Sequence, residues 1–321
     1  MNSDGQAKNP SRRGFLATLL KIAAASGIAT MVDTASIIAE ARSSTAIGSN
    51  SQADTNTAGV EVPPSLMLHA RSVHLQLLKP LLDKLTAHNF HSVTYKDLRA
   101  AVQGTQPLPD NPVILSFDDM TCAISSQNVG FPTFQFMENI LLNNGFKGVF
   151  GLITEPILEP RQAIIQDMAH WQVVAGWIQD GMEIATHTKN HIDLIDRALT
   201  LSAIREQIQD STFMIAEATG QPVTTLILPF GNGLTGKMDA VAHEKIRPEI
   251  KQVCQELGIQ MVVGLSEGRG IVGPDNANNN SDVWYVGRTV PGLTDEMTNP
   301  ETAFNNLLDF KQGNSLTTAM E

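Results

Sequence analysis

Two short stretches hold side chains that could act together on one substrate. The run Pro112-Val113-Ile114-Leu115-Ser116-Phe117-Asp118-Asp119 is an apolar strand ending in two adjacent carboxylates, and burying such a pair is costly unless a cation or hydrogen bonds hold it. At a strand-to-loop turn the two can point different ways, one toward a metal and one toward a water. Taken alone they also fit an N-cap pair on a solvated turn. The second stretch, His187-Thr188-Lys189-Asn190-His191, sets two imidazoles four residues apart. On a helical turn that spacing places both on one face, within reach of one ion. Two His and one Asp at the same end of a parallel barrel make a facial triad with positions left open for water and substrate.

The elements that must bring these stretches together are short apolar runs alternating with longer amphipathic ones, a β/α pattern. Strand candidates are Ser65 to His69, Val113 to Phe117, Gly148 to Ile153, Glu183 to Thr186, Thr224 to Leu228, Gln260 to Leu265 and Trp284 to Arg288. Helical spacing of apolar residues marks Val73 to His88, Phe134 to Asn143, Met168 to Gln179, Leu201 to Ala218 and Met238 to Leu257. Gly145, Gly181, Gly220 and Gly258 each follow such a segment, where a left-handed cap favours glycine. The pattern predicts a distorted parallel (β/α) barrel of about seven strands, with its chemistry at the carboxyl ends of the strands. Ser266 to Asp282, rich in asparagine, reads as a long loop.

The motifs resemble those of the polysaccharide deacetylase family, the NodB-homology carbohydrate esterases. Ser116-Phe117-Asp118-Asp119 is similar to the family's Thr-Phe-Asp-Asp-Gly, and Gly181-Met182-Glu183-Ile184-Ala185-Thr186-His187-Thr188 through His191 to its Gly-x-Glu-Ile-x-x-His-Thr-x-x-x-His. Leu228-Pro229-Phe230-Gly231 resembles the Tyr-Pro-Tyr-Gly of one branch, and the likeness runs from about Ser65 to Leu308. Pro64-Ser65-Leu66-Met67-Leu68-His69 resembles the Leu-Met-Tyr-His segment that opens deacetylases of poly-N-acetylglucosamine type. The resemblance implies a NodB-like fold and a divalent ion, with zinc first and cobalt, nickel or iron as alternatives. It implies Asp119, His187 and His191 as ligands, Asp118 as general base, His69 as general acid, and the Phe230 backbone N–H as an oxyanion donor. The implied substrate is an N-acetylated amino-sugar polymer such as poly-N-acetylglucosamine, peptidoglycan glycan or a chitin-like chain.

Three departures from the family pattern bear on activity. Met120 stands where the motif has glycine, which is expected to change the turn or narrow the site. Ile227 occupies the place of the arginine that many relatives set in the third motif, so the ion pair on the catalytic Asp is expected to be absent. Phe230 in place of tyrosine loses a hydroxyl and keeps the backbone N–H. Met120 and Ile227 motivate a rival reading, a carbohydrate-binding relative with impaired turnover; an amidase acting on a small non-sugar amide is another. An iron oxygenase built on His191-Ile192-Asp193 with His243 would need a β-rich double sheet, against the β/α alternation.

Ser11-Arg12-Arg13-Gly14-Phe15-Leu16 and the Ala-rich run after it resemble a twin-arginine export signal, and Ala39-Glu40-Ala41 fits its cleavage site. Lys21 and Asp33 make that run a poor permanent membrane span. The expected domains are a signal peptide at 1–41, a Ser/Thr/Asn-rich linker at 42–62 and the deacetylase domain at 63–321. The implied partner besides the polymer is the twin-arginine export machinery, and the implied location is periplasmic or extracellular. The formal charge of −11 disfavours nucleic acid as a partner. Cys122 and Cys254 are the only cysteines, open to one disulfide or two buried thiols. The remaining histidines, His74, His88, His91, His170 and His243, read as structural or exposed.

Overall fold

Strands that alternate with helices can pair in parallel only if each helix returns the chain to the same end of the sheet. A computed structural model describes residues 60, 62–69, 72–121, 131–154, 168–194, 196, 198–231, 247–265, 283–288 and 299–312. Its strands are β1 (Ser65–His69), β2 (His91–Val93), β3 (Pro112–Thr121), β4 (Val149–Ile153), β5 (Glu183–Thr186), β6 (Thr225–Ile227), β7 (Met261–Leu265) and β8 (Trp284–Arg288). Its helices are α1 (Ser72–Ala87), α2 (Tyr95–Val102), α3 (Phe131–Asn143), α4 (Met168–Gln179), α5 (Leu201–Thr219), α6 (Pro248–Leu257) and α7 (Pro300–Gln312). All described pairings are parallel, in the order β1-β3-β4-β5-β6-β7-β8, with β2 pairing the start of β3. This is the expected nearly closed barrel of seven strands, with β2 as an added short strand. β8 comes up against β1, but no ladder joins them among the described residues.

Alternation along each strand divides the side chains between two environments. Val113, Leu115 and Phe117 of β3 face outward into a core shared with α1, α3, α4, α5 and α7. Ile114 of the same strand faces inward with Val149, Ala185, Ile227, Met261, Val263 and Val286, so the interior is packed. Leu98 and Tyr95 of α2 join that inner cluster from the amino ends of the strands. β2, α2 and α7 are additions to the sequence expectation. A three-residue strand carries no periodicity to detect, whereas α2 had a visible signal in Thr94-x-x-Asp97, which forms a reciprocal capping box.

Two boundaries differ for physical reasons. α6 begins at Pro248 rather than Met238, as proline favours the first helical turn; residues 232–246, with His243, lie outside the described residues. β3 runs on through Asp118 and Asp119 to Thr121, so the two carboxylates stand within a strand and not on a turn. The 1–41 signal, most of the 42–62 linker, the 266–282 loop and Cys122 also lie outside the described residues. Cys254 is a buried free thiol on α6, and burial pushes its pKa up.

Candidate active site at the carboxyl ends of the strands

Regular alternation would send Asp118 into the barrel and Asp119 out toward the helices. A bulge prevents this. Phe117 pairs with Phe150 and Met120 with Leu152, so β3 uses one residue more than β4 between the same two ladder points. The extra residue is taken up at Asp119, whose φ is 61°. Met120 then returns to the outer face and is fully buried in the helix-side core. The expectation that Met120 alters the turn or narrows the site is therefore corrected: the left-handed residue is Asp119, and the methionine packs away from the opening.

Asp118 is buried in the barrel and held by three hydrogen bonds. Arg288 Nη1 donates to Oδ1 at 2.6 Å and Nη2 to Oδ2 at 2.8 Å. Ser116 Oγ reaches Oδ1 at 3.4 Å and is itself bonded by Arg288 Nη1 at 2.6 Å. His69 on β1 is the register partner of Asp118. Burial pushes the Asp118 pKa up, but the Arg288 charge and hydrogen bonds oppose it and hold the carboxyl below its ordinary range. The expectation that Ile227 leaves the catalytic Asp without an ion pair is thus overturned. The arginine stands on β8 instead. Its signal in the sequence was a lone cation ending the apolar strand Trp284-Tyr285-Val286-Gly287-Arg288, a position where an unpaired charge would be very costly.

Asp119 is arranged differently. Its Oδ1 lies 3.2 Å from His191 Nε2 and 3.5 Å from His187 Nε2, while Oδ2 lies 3.7 Å from His69 Nε2. Yet Oδ1 is buried and receives no hydrogen bond among the described residues. His187 is anchored from behind. Its Nδ1 is 2.9 Å from the Ile227 carbonyl, which can only accept, so that nitrogen donates there and Nε2 is the one turned toward Asp119. One ligand atom from each of Asp119, His187 and His191 lies within 4.8 Å of the others. Two imidazole nitrogens and a carboxylate oxygen that converge in this way suit a cation, so the residues present fit a divalent metal.

The His pair reaches this place without a helix. His187 extends β5, its N–H donating to Leu152 O at 2.9 Å. Gly151 on β4 leaves room beside it, since a Cβ there would lie 3.5 Å from His187 Cβ and 3.2 Å from Ile227 Cδ1. Thr188 (φ 69°) then turns the chain, its hydroxyl accepts from His191 N–H at 3.0 Å, and His191 itself has φ 56°. Gln207 of α5 clamps the loop through Asn190, accepting from its N–H at 3.0 Å and donating to its Oδ1 at 2.9 Å. A loop with two left-handed residues thus replaces the helical turn inferred from the four-residue spacing.

Phe230 closes the group. It has φ 61°, is 59% exposed and stacks on the His191 ring with centroids 4.6 Å apart. Gly231 follows at φ 48°, and a Cβ there would lie 2.3 Å from Leu265 Cγ, so only glycine permits the turn. Of the other histidines, His88 and His91 are exposed, and His88 rests on Phe304.

A family model described as polysaccharide deacetylase matches residues 105–262, which include Asp118, Asp119, His187, His191 and Phe230. No curated protein matches the chain in sequence. Among solved structures, a Streptococcus pyogenes deacetylase in complex with acetate is similar at 17% identity and a TM-score of 0.54, over 76% of this chain and 97% of that one. IcaB from Ammonifex degensii is similar at 16% identity and a TM-score of 0.51, over 77% of this chain and 97% of that one. A polysaccharide deacetylase from Bacillus cereus matches at 14% identity and a TM-score of 0.50, over 76% and 68%. At these identities the likeness concerns the fold.

Proposed function

Because the chain belongs to the polysaccharide deacetylase family, we propose that it is an exported, metal-dependent enzyme that removes N-acetyl groups from an N-acetylglucosamine-containing polysaccharide and releases acetate. One observation carries the reading: of two adjacent carboxylates, Asp118 is saturated by an arginine while Asp119 Oδ1 is left open between two imidazoles. Acetamide hydrolysis needs an activated water, a polarised carbonyl and a proton for the departing amine. A divalent cation held by Asp119, His187 and His191 would lower the pKa of a bound water and act as Lewis acid toward the carbonyl.

The chain's own groups do the rest. Asp118 takes the proton of the attacking water, and it stays ionised at neutral pH because Arg288 opposes the effect of burial. Phe230 N–H donates to the oxygen that gains charge as the acetamide carbon becomes tetrahedral. His69, on the strand beside β3, passes a proton to the amine leaving group. The poly-N-acetylglucosamine branch is favoured because Leu66-Met67-Leu68-His69 is the strand that brings this histidine to the site.

Zinc suits two imidazoles and a carboxylate, and cobalt, nickel or iron would be accepted by the same donors. Export rests on Arg12-Arg13 and the apolar run after it, with the deacetylase domain starting near residue 63. No helix among the described residues is long and apolar enough to cross a membrane. An acidic protein suits a polymer that becomes cationic as it loses acetyl groups. The test is acetate release from poly-N-acetylglucosamine, peptidoglycan glycan and chitin oligomers with each of the four metals. Absence of acetate from every combination sinks the proposal.

A further inference from the structure

We infer that Arg288, on the last strand, is the positioning residue of Asp118, performing from β8 the task that relatives assign to an arginine at the place of Ile227; the inference rests on the deacetylase reading. The geometry leaves Asp118 one orientation. A guanidinium is a planar fork, and here both of its Nη atoms face the two carboxylate oxygens, at 2.6 and 2.8 Å. Rotating the carboxylate about its Cβ–Cγ bond would break both bonds at once. A single monodentate donor would not impose that constraint.

The fork is itself held. Its Nη1 also donates to Ser116 Oγ, and Nε points to Gly264 O at 3.4 Å. Below it Tyr95 Oη and Ser65 Oγ are 2.7 Å apart, and all of these side chains are buried. Polar groups therefore run from α2 at the amino ends of the strands to Asp118 at the carboxyl ends. Ile227 contributes to the same interior from β6, its side chain packed with Val149, Val263 and Val286. Positions 227 and 288 thus both face the barrel interior, and the double variant below tests whether an arginine from β6 can take the place of the one from β8.

Arg288 also crosses the one place where the barrel lacks a ladder. It reaches from β8 past β1 to Ser116 and Asp118 on β3, while no ladder joins β8 to β1 among the described residues. The residue that aims the base therefore also ties β8 to β3 across the gap. Breaking a buried ion pair on one side leaves a charge without compensation, so stability and positioning must be read separately.

Four proteins separate them: the wild type, Arg288→Met, Arg288→Lys, and Arg288→Met combined with Ile227→Arg. Each is measured for bound metal, kcat and KM on a soluble N-acetylglucosamine oligomer, and each is crystallised. Misplacing a catalytic group by an ångström costs on the order of a hundredfold, so Arg288→Met is expected to lower kcat by about that factor with KM and metal content unchanged. Its Asp118 carboxylate is expected to rotate out of the wild-type plane. Restoring a fork from β6 in the double variant returns the carboxylate to that plane and recovers kcat at least in part. Should Arg288→Met fail to fold, Arg288→Lys decides, because it keeps a buried cation without the fork; lower kcat at constant KM and a rotated Asp118 support the inference. Wild-type kcat with an unmoved Asp118 in whichever variant folds overturns it, as does an effect confined to KM or to metal content. If the wild type itself releases no acetate the deacetylase reading falls, while the orientation of Asp118 across the variants still decides the role of Arg288.

Discussion

Asp118 and Asp119 share a peptide bond and little else. Asp118 continues the inward alternation of β3, is almost wholly buried, and meets a guanidinium with both oxygens. Asp119 is left-handed, a third exposed, and turns a buried oxygen toward two imidazoles without receiving a hydrogen bond. Arg288 holds the Asp118 carboxyl below its ordinary range against burial, whereas Asp119 faces two imidazoles and no guanidinium. The contrast shows how one residue type yields a base and a ligand side by side. The backbone bulge decides which way each points, and the neighbours then decide what each can do.

The largest effect should come from the Asp119 side. Replacing both His187 and His191 by alanine removes two of three donors, so bound metal should drop far below one per chain and acetate release should fall to background. Full occupancy measured by elemental analysis of the folded double variant would break the contrast, since Asp119 would then need no imidazole partners. Asp118→Asn probes the other side. An amide cannot accept a proton from water at neutral pH, so turnover should fall roughly a hundredfold to ten-thousandfold with metal retained. If that variant loses its metal while Asp119→Asn keeps it, the two roles are reversed.

His69 lies between the two carboxylates, pairing in register with Asp118 and 3.7 Å from Asp119 Oδ2. His69→Ala should keep its metal and lose on the order of a hundredfold in turnover. The loss should be smaller on an activated ester, whose leaving group needs no proton; an equal loss on both substrates would refute a role as acid.

The smallest effect comes from a third buried carboxylate, which sharpens the comparison from the opposite end of the barrel. Glu183 at the start of β5 is met by neutral donors, Thr225 Oγ1 at 2.5 Å and Lys96 N–H at 2.9 Å. Burial raises its pKa, and these hydrogen bonds offset that only in part. The folded state thus holds this proton more tightly than the unfolded chain. Its contribution to stability is complete below the ordinary glutamate pKa and is lost as pH rises through the folded value. In Glu183→Gln that loss should vanish, with the stability difference between variant and wild type changing by at most about 1.4 kcal/mol per pH unit. Denaturant melts of metal-free protein from mildly acid to neutral pH give the answer, and a difference that stays constant across that range refutes the shift.

Much of this arrangement was legible in the sequence. The alternation of strands and helices announced the barrel, and Asp118, Asp119, His187, His191, His69 and Phe230 all gather at its carboxyl end, as their positions after strand candidates suggested. What stayed hidden depends on backbone irregularity and on distance along the chain. The His187–His191 spacing is satisfied equally by a helical turn and by the loop with left-handed residues at Thr188 and His191, and a β-branched threonine gives no sign of a positive φ. Nothing in Asp118-Asp119-Met120 reveals which of the three adopts φ 61°. Arg288 is separated from Asp118 by 170 positions, and only the closing of the barrel brings them together.

The same closing has a consequence for how such chains can be ordered. β8 lies against β1, and α7 lies against α1 through the Lys84–Glu301 ion pair and through Phe304, set near His88 and Phe90. The two extremities of the barrel are therefore neighbours in space. A chain opened between two other elements and rejoined across β8 and β1 would preserve the pairings and the site, because termini that meet at a surface permit circular permutation. Motif order is then a matter of where the ring of elements was cut. A histidine strand placed before the Asp-Asp strand, as here, and one placed after it in a differently cut relative would build the same constellation.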